Sequence, residues 1–367
     1  MSFKEKLLQK SNSYQYYKDK CDHLSKENKK LKKRNESLKD NVKRLEMEAD
    51  RYKSLSDMPL NERYNHDYEA LSYFCDMGQL EFYFEENFED RLKEVTKHLN
   101  PHEKHYFKHL YLRSLFVNFI RKDTFYTPEE LELQREFDEF KKNNIDGNKI
   151  AGYDFTGEYN LHPFMGFSLD DGSLEFLKDK DIIDAGAFTG DTSLPLSKLT
   201  TGNVYAFEPF EESFELLNKN INDNDIKNIV PVKKSLGNIN GKRKLYLAGN
   251  NYQGITSDAD FRKYDVELEV EETTVDSFVK ENDLNVGFII TDVEGAELDL
   301  LEGAKNTIMT QKPILTISIY HRLKDFVEII PWVANLDLGY EFKILKEDPW
   351  GFFADTSVLC IPKEFNE

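Results

Sequence analysis

The sequence predicts an α/β fold, with a mostly parallel sheet whose last strand is antiparallel, preceded by a helical domain and an N-terminal coiled coil. Three observations support this. Short apolar segments alternate with helical stretches after residue 148, proline-initiated helices precede them, and leucines recur every seven residues near the N-terminus. The predicted boundaries are 1–56 for the coiled coil, 57–148 for the helical domain and 149–367 for the α/β domain.

Charge is unevenly distributed along the 367 residues. Residues 1–57 contain 16 Lys and Arg against 10 Asp and Glu, whereas the rest of the chain contains 33 against 58. Because an acidic body repels phosphate and anionic lipid, we expect no nucleic-acid partner. The three cysteines are far apart, and no long uncharged apolar segment occurs. The sequence therefore predicts a cytoplasmic protein with no transmembrane segment, disulfide framework or zinc site.

The N-terminal region carries one heptad register from Tyr17 to Tyr52. Leu at position d combined with Asn at position a favours two parallel strands, because each buried Asn pairs only with its counterpart in the correct register. We therefore predict a homodimer through a parallel coiled coil, with a solvated single helix as the alternative. The d positions are Leu24, Leu31, Leu38 and Leu45, and the a positions are Asn28, Asn35, Val42 and Ala49.

The region from 62 to 145 is predicted to be helical. Asn100-Pro101-His-Glu103 and Thr127-Pro128-Glu-Glu130 each combine a capping residue, a proline at the first helical position and a carboxylate at the third. The aromatic residues between 82 and 119 recur at a spacing that favours a core over a ligand pocket.

Seven strands are predicted in the C-terminal half, at 182–184, 204–207, 229–233, 288–292, 314–320, 340–345 and 356–361. A turn at 347–352, rather than a helix, joins the last two. The sheet should therefore end with an antiparallel strand. This arrangement is typical of the Rossmann-like sheet of class I methyltransferases.

A glycine-rich motif follows the first predicted strand. It reads Asp184-Ala-Gly186-Ala187-Phe-Thr-Gly190-Asp191-Thr192. Glycines allow a sharp turn and a close approach to a ligand, but the spacing lacks the third glycine that dinucleotide enzymes use at a pyrophosphate. The spacing suits S-adenosylmethionine (SAM), whose zwitterionic tail can be bound by backbone groups and by Asp184. A structural turn without a ligand is the alternative.

An acidic residue ends the second predicted strand. Glu208 lies 24 residues after Asp184, and its carboxylate can accept hydrogen bonds from both ribose hydroxyls. The combination of strand, glycine turn, helix, strand and acid predicts a SAM site. Its candidate residues are Asp184, Gly186, Ala187, Gly190, Asp191, Thr192, Glu208 and Pro209.

Candidate catalytic residues follow two later strands. Asp292 and Glu294 end the strand at 288–292, and His321 ends the next one. Ligands of open α/β sheets bind at this edge, so either carboxylate is a candidate to accept a proton from a substrate hydroxyl, or both to share a divalent metal ion. His321 is a candidate general base because its ordinary pKa is near neutrality. Helix-capping acids and a structural histidine are the alternatives.

Together these segments resemble the FkbM family of methyltransferases over residues 180–325, in the order in which the family has them. The segments are Asp184-Ala-Gly-Ala, Phe207-Glu-Pro209, Thr274-Val-Asp-Ser-Phe278, Asp292-Val-Glu-Gly-Ala-Glu297, Leu301-Glu-Gly-Ala304 and the strand that ends in His321.

The resemblance implies a class I fold, SAM as the methyl donor and, commonly, a sugar hydroxyl as the acceptor. It implies that Asp184, Gly186, Gly190 and Glu208 bind the donor and that the segment from Asp292 borders the acceptor. One position departs from the family, which usually has Lys where this chain has Thr291. Three hypotheses follow: O-methylation of a glycan or its precursor, methylation of a protein or small molecule, and a coiled-coil assembly protein with a vestigial methyltransferase fold.

Overall fold

The computed structural model describes residues 32, 88–120, 127–146, 149–157, 169–247, 255–256, 266–346 and 356–365. The chain divides into two compact units, Met1–Tyr68 and Glu69–Glu367, and all described residues except Lys32 belong to the second unit. The predicted coiled coil at 1–56 therefore lies outside the described residues and stays a prediction. In the described part of the chain, no helix is both long enough and apolar enough to cross a membrane.

Three helices lead into the α/β region: α1 (Phe88–Lys97), α2 (Pro101–Ile120) and α3 (Pro128–Asn144). Both proline-initiated helix starts predicted from the sequence are present. Asn100 Oδ1 accepts a hydrogen bond from the Glu103 amide at 3.0 Å. At the start of α3, the Thr127 hydroxyl accepts from the Glu130 amide at 3.2 Å, and the Glu130 carboxylate accepts from the Thr127 amide at 2.7 Å. These reciprocal bonds form a capping box.

A seven-stranded sheet forms the centre of the second unit. Its strands are β4 (Asp181–Ala185), β5 (Val204–Phe207), β6 (Ile229–Val232), β11 (Val286–Thr291), β12 (Ile314–Ser318), β13 (Tyr340–Lys346) and β14 (Thr356–Pro362). Their spatial order is β13-β14-β12-β11-β4-β5-β6, and β14 runs antiparallel to both of its neighbours. All seven strands predicted from the sequence are confirmed, and the order is that of a class I methyltransferase-like sheet with an antiparallel strand near one edge.

Helices cover both faces of this sheet. They are α4 (Asp171–Leu177), α5 (Ser193–Leu196), α6 (Glu211–Asp223), α7 (Val275–Asn282), α8 (Glu297–Gln311) and α9 (Leu323–Ala334). Alternate residues of each central strand face opposite hydrophobic clusters, so β11, for example, directs Phe288 to one side and Ile289 to the other. Burial on both faces explains why these strands have continuous apolar sequences.

Helices α1 and α2 share the hydrophobic cluster on one face of this sheet. Phe107 of α2 is fully buried and stacks on Phe326 of α9, with ring centroids 4.1 Å apart. The buried carboxylate of Glu103 accepts a hydrogen bond from the Ile344 amide in strand β13 at 2.7 Å. The start of α2 is therefore fixed to the edge of the sheet by both packing and hydrogen bonding.

Two smaller sheets were not predicted. One is formed by β1 (Ile145–Asp146), β2 (Lys149–Ile150) and β3 (Tyr153–Asp154). The other contains β7 (Ser235–Leu236), β8 (Gly241–Leu247), β9 (Ile255–Thr256) and β10 (Val266–Thr273), in the order β7-β10-β8-β9. Opposite charges pair between β8 and β10, including Lys242 with Glu269 at 2.5 Å and Lys244 with Glu267 at 2.6 Å.

Candidate functional site

The glycine turn after β4 closes tightly against the end of β11. Gly186 has a φ of +86°, and a Cβ atom at this position would lie 1.9 Å from the carbonyl oxygen of Asp292. The amides of Gly186 and Ala187 both donate to the Phe207 carbonyl, at 3.0 and 2.9 Å. Because Gly186 has no side chain, the carboxyl ends of three adjacent strands, β4, β5 and β11, can pack directly against one another.

A buried asparagine, Asn220, stabilises this turn through a hydrogen bond to the main chain at Thr189. Asn220 of α6 is fully buried, and its side-chain amide donates to the carbonyls of Thr189 at 2.8 Å and Thr156 at 3.0 Å. Its Oδ1 accepts from the Thr156 amide at 2.8 Å. Sequence reasoning missed Asn220, because it lies inside an amphipathic helix and no motif marks it.

Asp184 lies at the base of the turn and is 2% exposed. The hydroxyl of Ser193, the first residue of α5, donates to its carboxylate. Burial raises the pKa of Asp184 to about 7, and the negative charges of Asp191 and Asp292 act in the same direction. A cationic group bound beside Asp184 would favour its ionised form, which is the response expected of a residue that binds an ammonium group.

Glu208 lies directly after β5, where two backbone amides orient its carboxylate. The Phe188 amide donates to Oε2 at 3.0 Å, and the Phe210 amide donates to Oε1 at 2.7 Å. Burial raises the pKa of Glu208 to about 8, and the charge of Asp184 adds to this effect. Each oxygen keeps a second lone pair, so the fixed carboxylate can accept one further hydrogen bond at each oxygen.

The remaining predicted donor residues lie in the same two segments. Ala187 is buried within the turn, while Asp191, Thr192 and Pro209 are half-buried. The helix after the turn begins at Ser193, within the 191–194 window that Pro195 imposes, and is a single turn long. All eight predicted donor residues thus lie in 184–192 and 208–209, at the carboxyl ends of two adjacent strands.

A second cluster surrounds His321, which follows β12 and is completely buried. Its Nδ1 lies 2.8 Å from Glu297 Oε1, and its Nε2 lies 3.2 Å from Asp292 Oδ1 and 3.6 Å from Glu294 Oε2. Burial by itself would lower the pKa of His321, but Glu297, Glu294 and Asp292 together raise it to about 10. In this arrangement the imidazole is protonated at neutral pH.

Two buried acids behind His321 were not among the predicted site residues. Glu297 is fully buried, and the positive charge of His321 lowers its pKa despite the opposing effect of burial. Asp325 of α9 is 1% exposed, and burial together with the charge of Glu297 raises its pKa well above the ordinary value. Glu297 was visible in the sequence motif, whereas Asp325 is brought there only by the packing of α9.

A left-handed turn places Glu294 beside the histidine. Glu294 has a φ of +52° and Gly295 a φ of +94°, and a Cβ atom at Gly295 would lie 2.7 Å from Nε of Arg322. The turn reverses the chain between β11 and α8. The side chains of Asp292 and Glu294 remain 23% exposed and are therefore accessible to a ligand.

The structure brings the two predicted groups of residues together. The Asp292 amide donates to the Ala185 carbonyl at 2.9 Å, and the carbonyl of Asp292 packs on Gly186. One residue therefore borders both the glycine turn and the acidic cluster. Thr291, at the position where a family lysine was expected, is 1% exposed, and within the described structure its hydroxyl has no hydrogen-bond partner.

Comparison with protein families places this region in a known domain. Residues 184–342 match the model described as the methyltransferase FkbM domain. The match begins at Asp184 and includes Glu208, Asp292, Glu294 and His321. No curated protein matches the sequence significantly.

The chain is also similar to several solved structures, at low sequence identity. The methyltransferase FkbM from Methylobacillus flagellatus KT is 16% identical with a TM-score of 0.49, and the alignment covers 78% of this chain but only 62% of that protein. An rRNA methylase from Streptococcus thermophilus is 16% identical, with a TM-score of 0.36 and coverage of 56% and 99%. SMU.1697c from Streptococcus mutans, solved in complex with SAH, is 17% identical, with a TM-score of 0.30 and coverage of 51% and 94%.

Proposed function

Because residues 184–342 carry a methyltransferase FkbM domain, we propose that this protein transfers a methyl group from SAM to a hydroxyl oxygen, and that the acceptor is a sugar in a glycan or glycan precursor. One observation carries the proposal. The main-chain carbonyl of Asp292 packs on Gly186 in the glycine turn that, with Glu208, forms the candidate donor site, and the carboxylates of Asp292 and Glu294 lie 3.2 and 3.6 Å from the same buried histidine, His321.

The charged groups of the candidate donor site suit SAM. The tight turn at Gly186 brings the ends of β4, β5 and β11 together, and the oriented carboxylate of Glu208 suits the two hydroxyls of a ribose. Asp184 is positioned for the ammonium of the methionine tail. Asp191 and Thr192 follow in the same turn, Ala187 is buried within it, and Pro209 directly follows Glu208.

When bound, SAM supplies an activated methyl group, whose carbon–sulfur bond breaks with its electron pair moving to sulfur as the acceptor oxygen bonds to the carbon. The residues of this chain align the two substrates and exclude water. The hydroxyl proton passes to a carboxylate oxygen of Glu294 or Asp292, which are partly exposed. The buried ring of His321 lies between these carboxylates and Glu297, and Glu297 fixes the ring through its contact with Nδ1.

The residues at the end of β11 favour a hydroxyl acceptor over an exocyclic base amine. Enzymes that methylate an exocyclic base amine usually carry an Asn or Asp followed by two prolines and an aromatic residue there. This chain has Asp292-Val-Glu-Gly295, which places two carboxylates at that position. Carboxylates suit the deprotonation of a hydroxyl, and the FkbM resemblance favours a sugar.

The test is transfer of a radiolabelled methyl group from SAM into fractionated cell extract. We expect label in the polysaccharide or glycolipid fraction, and we expect Asp184→Ala and Glu208→Ala to lose both SAM binding and transfer. Glu212→Ala is the matched control, because Glu212 is an exposed acid on α6 close to Glu208 in sequence. Label in protein or in small metabolites instead would overturn the sugar acceptor. SAM binding without transfer would favour an assembly protein with a vestigial fold, and calorimetry without any SAM binding would overturn the proposal as a whole.

Three further proposals rest on the sequence alone. They are a cytoplasmic location, the domain boundaries at 56 and 148, and a homodimer formed through the heptads. The heptads would join two catalytic units and so present two acceptor sites in one particle.

A further inference from the structure

We propose that the cluster around His321 is a divalent metal site, in which His321 Nε2, Asp292 and Glu294 bind the cation and Glu297 orients the imidazole from the second shell. One potential ligand atom from each of Asp292, Glu297 and His321 lies within 4.8 Å of the others. Metal binding is independent of the proposed reaction. The role of the metal in activating a hydroxyl rests on the proposed function.

The geometry at Nε2 is the first argument. This nitrogen is fully buried and makes no hydrogen bond, although Asp292 Oδ1 lies only 3.2 Å away. The N–H direction and the carboxylate oxygen are therefore misaligned. Two ligands bound to one cation at about 2.1 Å are separated by about 3.0 Å at a right angle and about 3.4 Å at a tetrahedral angle. The distance of 3.2 Å from Nε2 to Asp292 Oδ1 falls within this range, and Glu294 Oε2 lies just beyond it at 3.6 Å, so a small movement of the Glu294 side chain would complete the site.

The second argument is the hydrogen bond at the other ring nitrogen. His321 Nδ1 lies 2.8 Å from the buried carboxylate of Glu297. Histidines that bind metals commonly donate the remaining ring N–H to a carboxylate, which fixes the tautomer and directs the free lone pair at the metal. Glu297 is itself held at the start of α8, where the Val293 amide donates to its Oε1 at 3.3 Å.

The third argument is charge. Four carboxyl groups, from Asp292, Glu294, Glu297 and Asp325, surround a single imidazole, and the cations that face Asp325 are Arg322, His321 and Lys324. The carboxylates of Asp292 and Glu294 favour additional positive charge close to Nε2. A divalent cation supplies it in place of the Nε2 proton, while the neutral ring keeps its bond to Glu297.

The ligand set indicates the type of metal. One imidazole nitrogen with two carboxylates is a mixed nitrogen and oxygen site, which suits Mn²⁺ or Zn²⁺ better than Mg²⁺ or Ca²⁺. Three protein ligands leave positions open for water and for an acceptor hydroxyl. A cation bound there would supply Lewis-acid activation of the hydroxyl, and the Glu294 carboxylate would accept its proton.

The experiment titrates the metal-stripped full-length protein with Mn²⁺, following the loss of the free-ion electron paramagnetic resonance signal. We expect one Mn²⁺ per chain. Asp292→Asn and His321→Gln should weaken binding by at least tenfold, and Glu297→Gln by about 10- to 100-fold. His98→Gln is the matched control, because His98 Nε2 lies 3.6 Å from a single carboxylate, that of Glu94 on α1, and its loss should leave Mn²⁺ affinity unchanged.

Circular dichroism separates loss of the site from loss of the fold. If His321→Gln does not fold, the result for Asp292→Asn decides, because the Asp292 side chain is partly exposed. Zn²⁺ calorimetry is run in parallel. The inference is overturned if neither ion binds the wild type stoichiometrically, or if folded Asp292→Asn binds as tightly as the wild type. SAM binding is measured on the same samples, so failure of the donor site is recorded separately from failure of the metal site.

Discussion

Because Glu208 is a buried carboxylate, we predict that the Kd for a nucleoside depends on pH. The pKa of Glu208 is raised to about 8, chiefly by burial, and only the ionised form accepts hydrogen bonds from both ribose hydroxyls. With that pKa, about a tenth of the protein carries ionised Glu208 at pH 7 and about nine tenths at pH 9. The apparent Kd should therefore fall about tenfold between these pH values, equivalent to about 1.4 kcal/mol of binding free energy.

The assay is calorimetry with 5′-methylthioadenosine, which retains the adenosine but lacks the titrating amino group of SAM. Asp184 faces the same site, and its pKa of about 7 lies below that of Glu208. Removing its charge with Asp184→Asn should lower the pKa of Glu208 and so shift the midpoint of the Kd profile to lower pH. Glu212→Gln, an exposed acid, should leave the profile unchanged.

Glu208→Gln should abolish the pH dependence, since the amide does not ionise in this range. A Kd that is constant from pH 7 to 9 in the wild type would contradict the buried-carboxylate argument. So would a Glu208→Gln variant with the same slope as the wild type. Either result would remove Glu208 from the donor site.

Three further predictions concern the turn, the N-terminal helices and the heptads. In urea titrations, Gly186→Ala should lower the free energy of unfolding by at least about 2 kcal/mol more than Gly152→Ala does. Both glycines have a φ near +87°, but only Gly186 has no room for a methyl group. Equal losses in the two variants would refute the steric argument. Phe107→Ala should cost about 3–5 kcal/mol in the same assay, and a loss below about 1 kcal/mol would show that α2 is not part of the core. Deleting residues 1–56 should leave a folded monomer or a weaker dimer by light scattering, and an unchanged number of chains per particle would refute the coiled-coil dimer.

The central strands could be predicted because each is buried on both faces. Val286–Thr291, for example, is buried at every position and is preceded and followed by helical or turn-forming segments. The antiparallel pair of β8 and β10 was not predicted, for the opposite reason. The segment Val266–Thr273 reads Val-Glu-Leu-Glu-Val-Glu-Glu-Thr, an alternation typical of an exposed antiparallel strand, whereas the strands that the sequence predicts are continuous apolar segments.

The candidate site was predicted where its residues follow strands directly. Asp184, Glu208, Asp292 and His321 each come at or just after the carboxyl end of a strand, and parallel strands bring these ends to one edge. Residues supplied by helices could not be predicted in this way. Asn220 and Asp325 reach the site only because α6 and α9 pack against the sheet, which depends on contacts distant in sequence.

Both outer strands of the central sheet are protected against pairing with another chain. On one side, Glu103 occupies the Ile344 amide of β13, and on the other, the edge strand β6 contains Pro231, which has no amide to donate. Free strand edges are the usual route by which sheet proteins polymerise or aggregate. Extension of the sheet across two subunits is therefore disfavoured at either end. The protein can therefore reach a high local concentration with a low risk of fibril-like association.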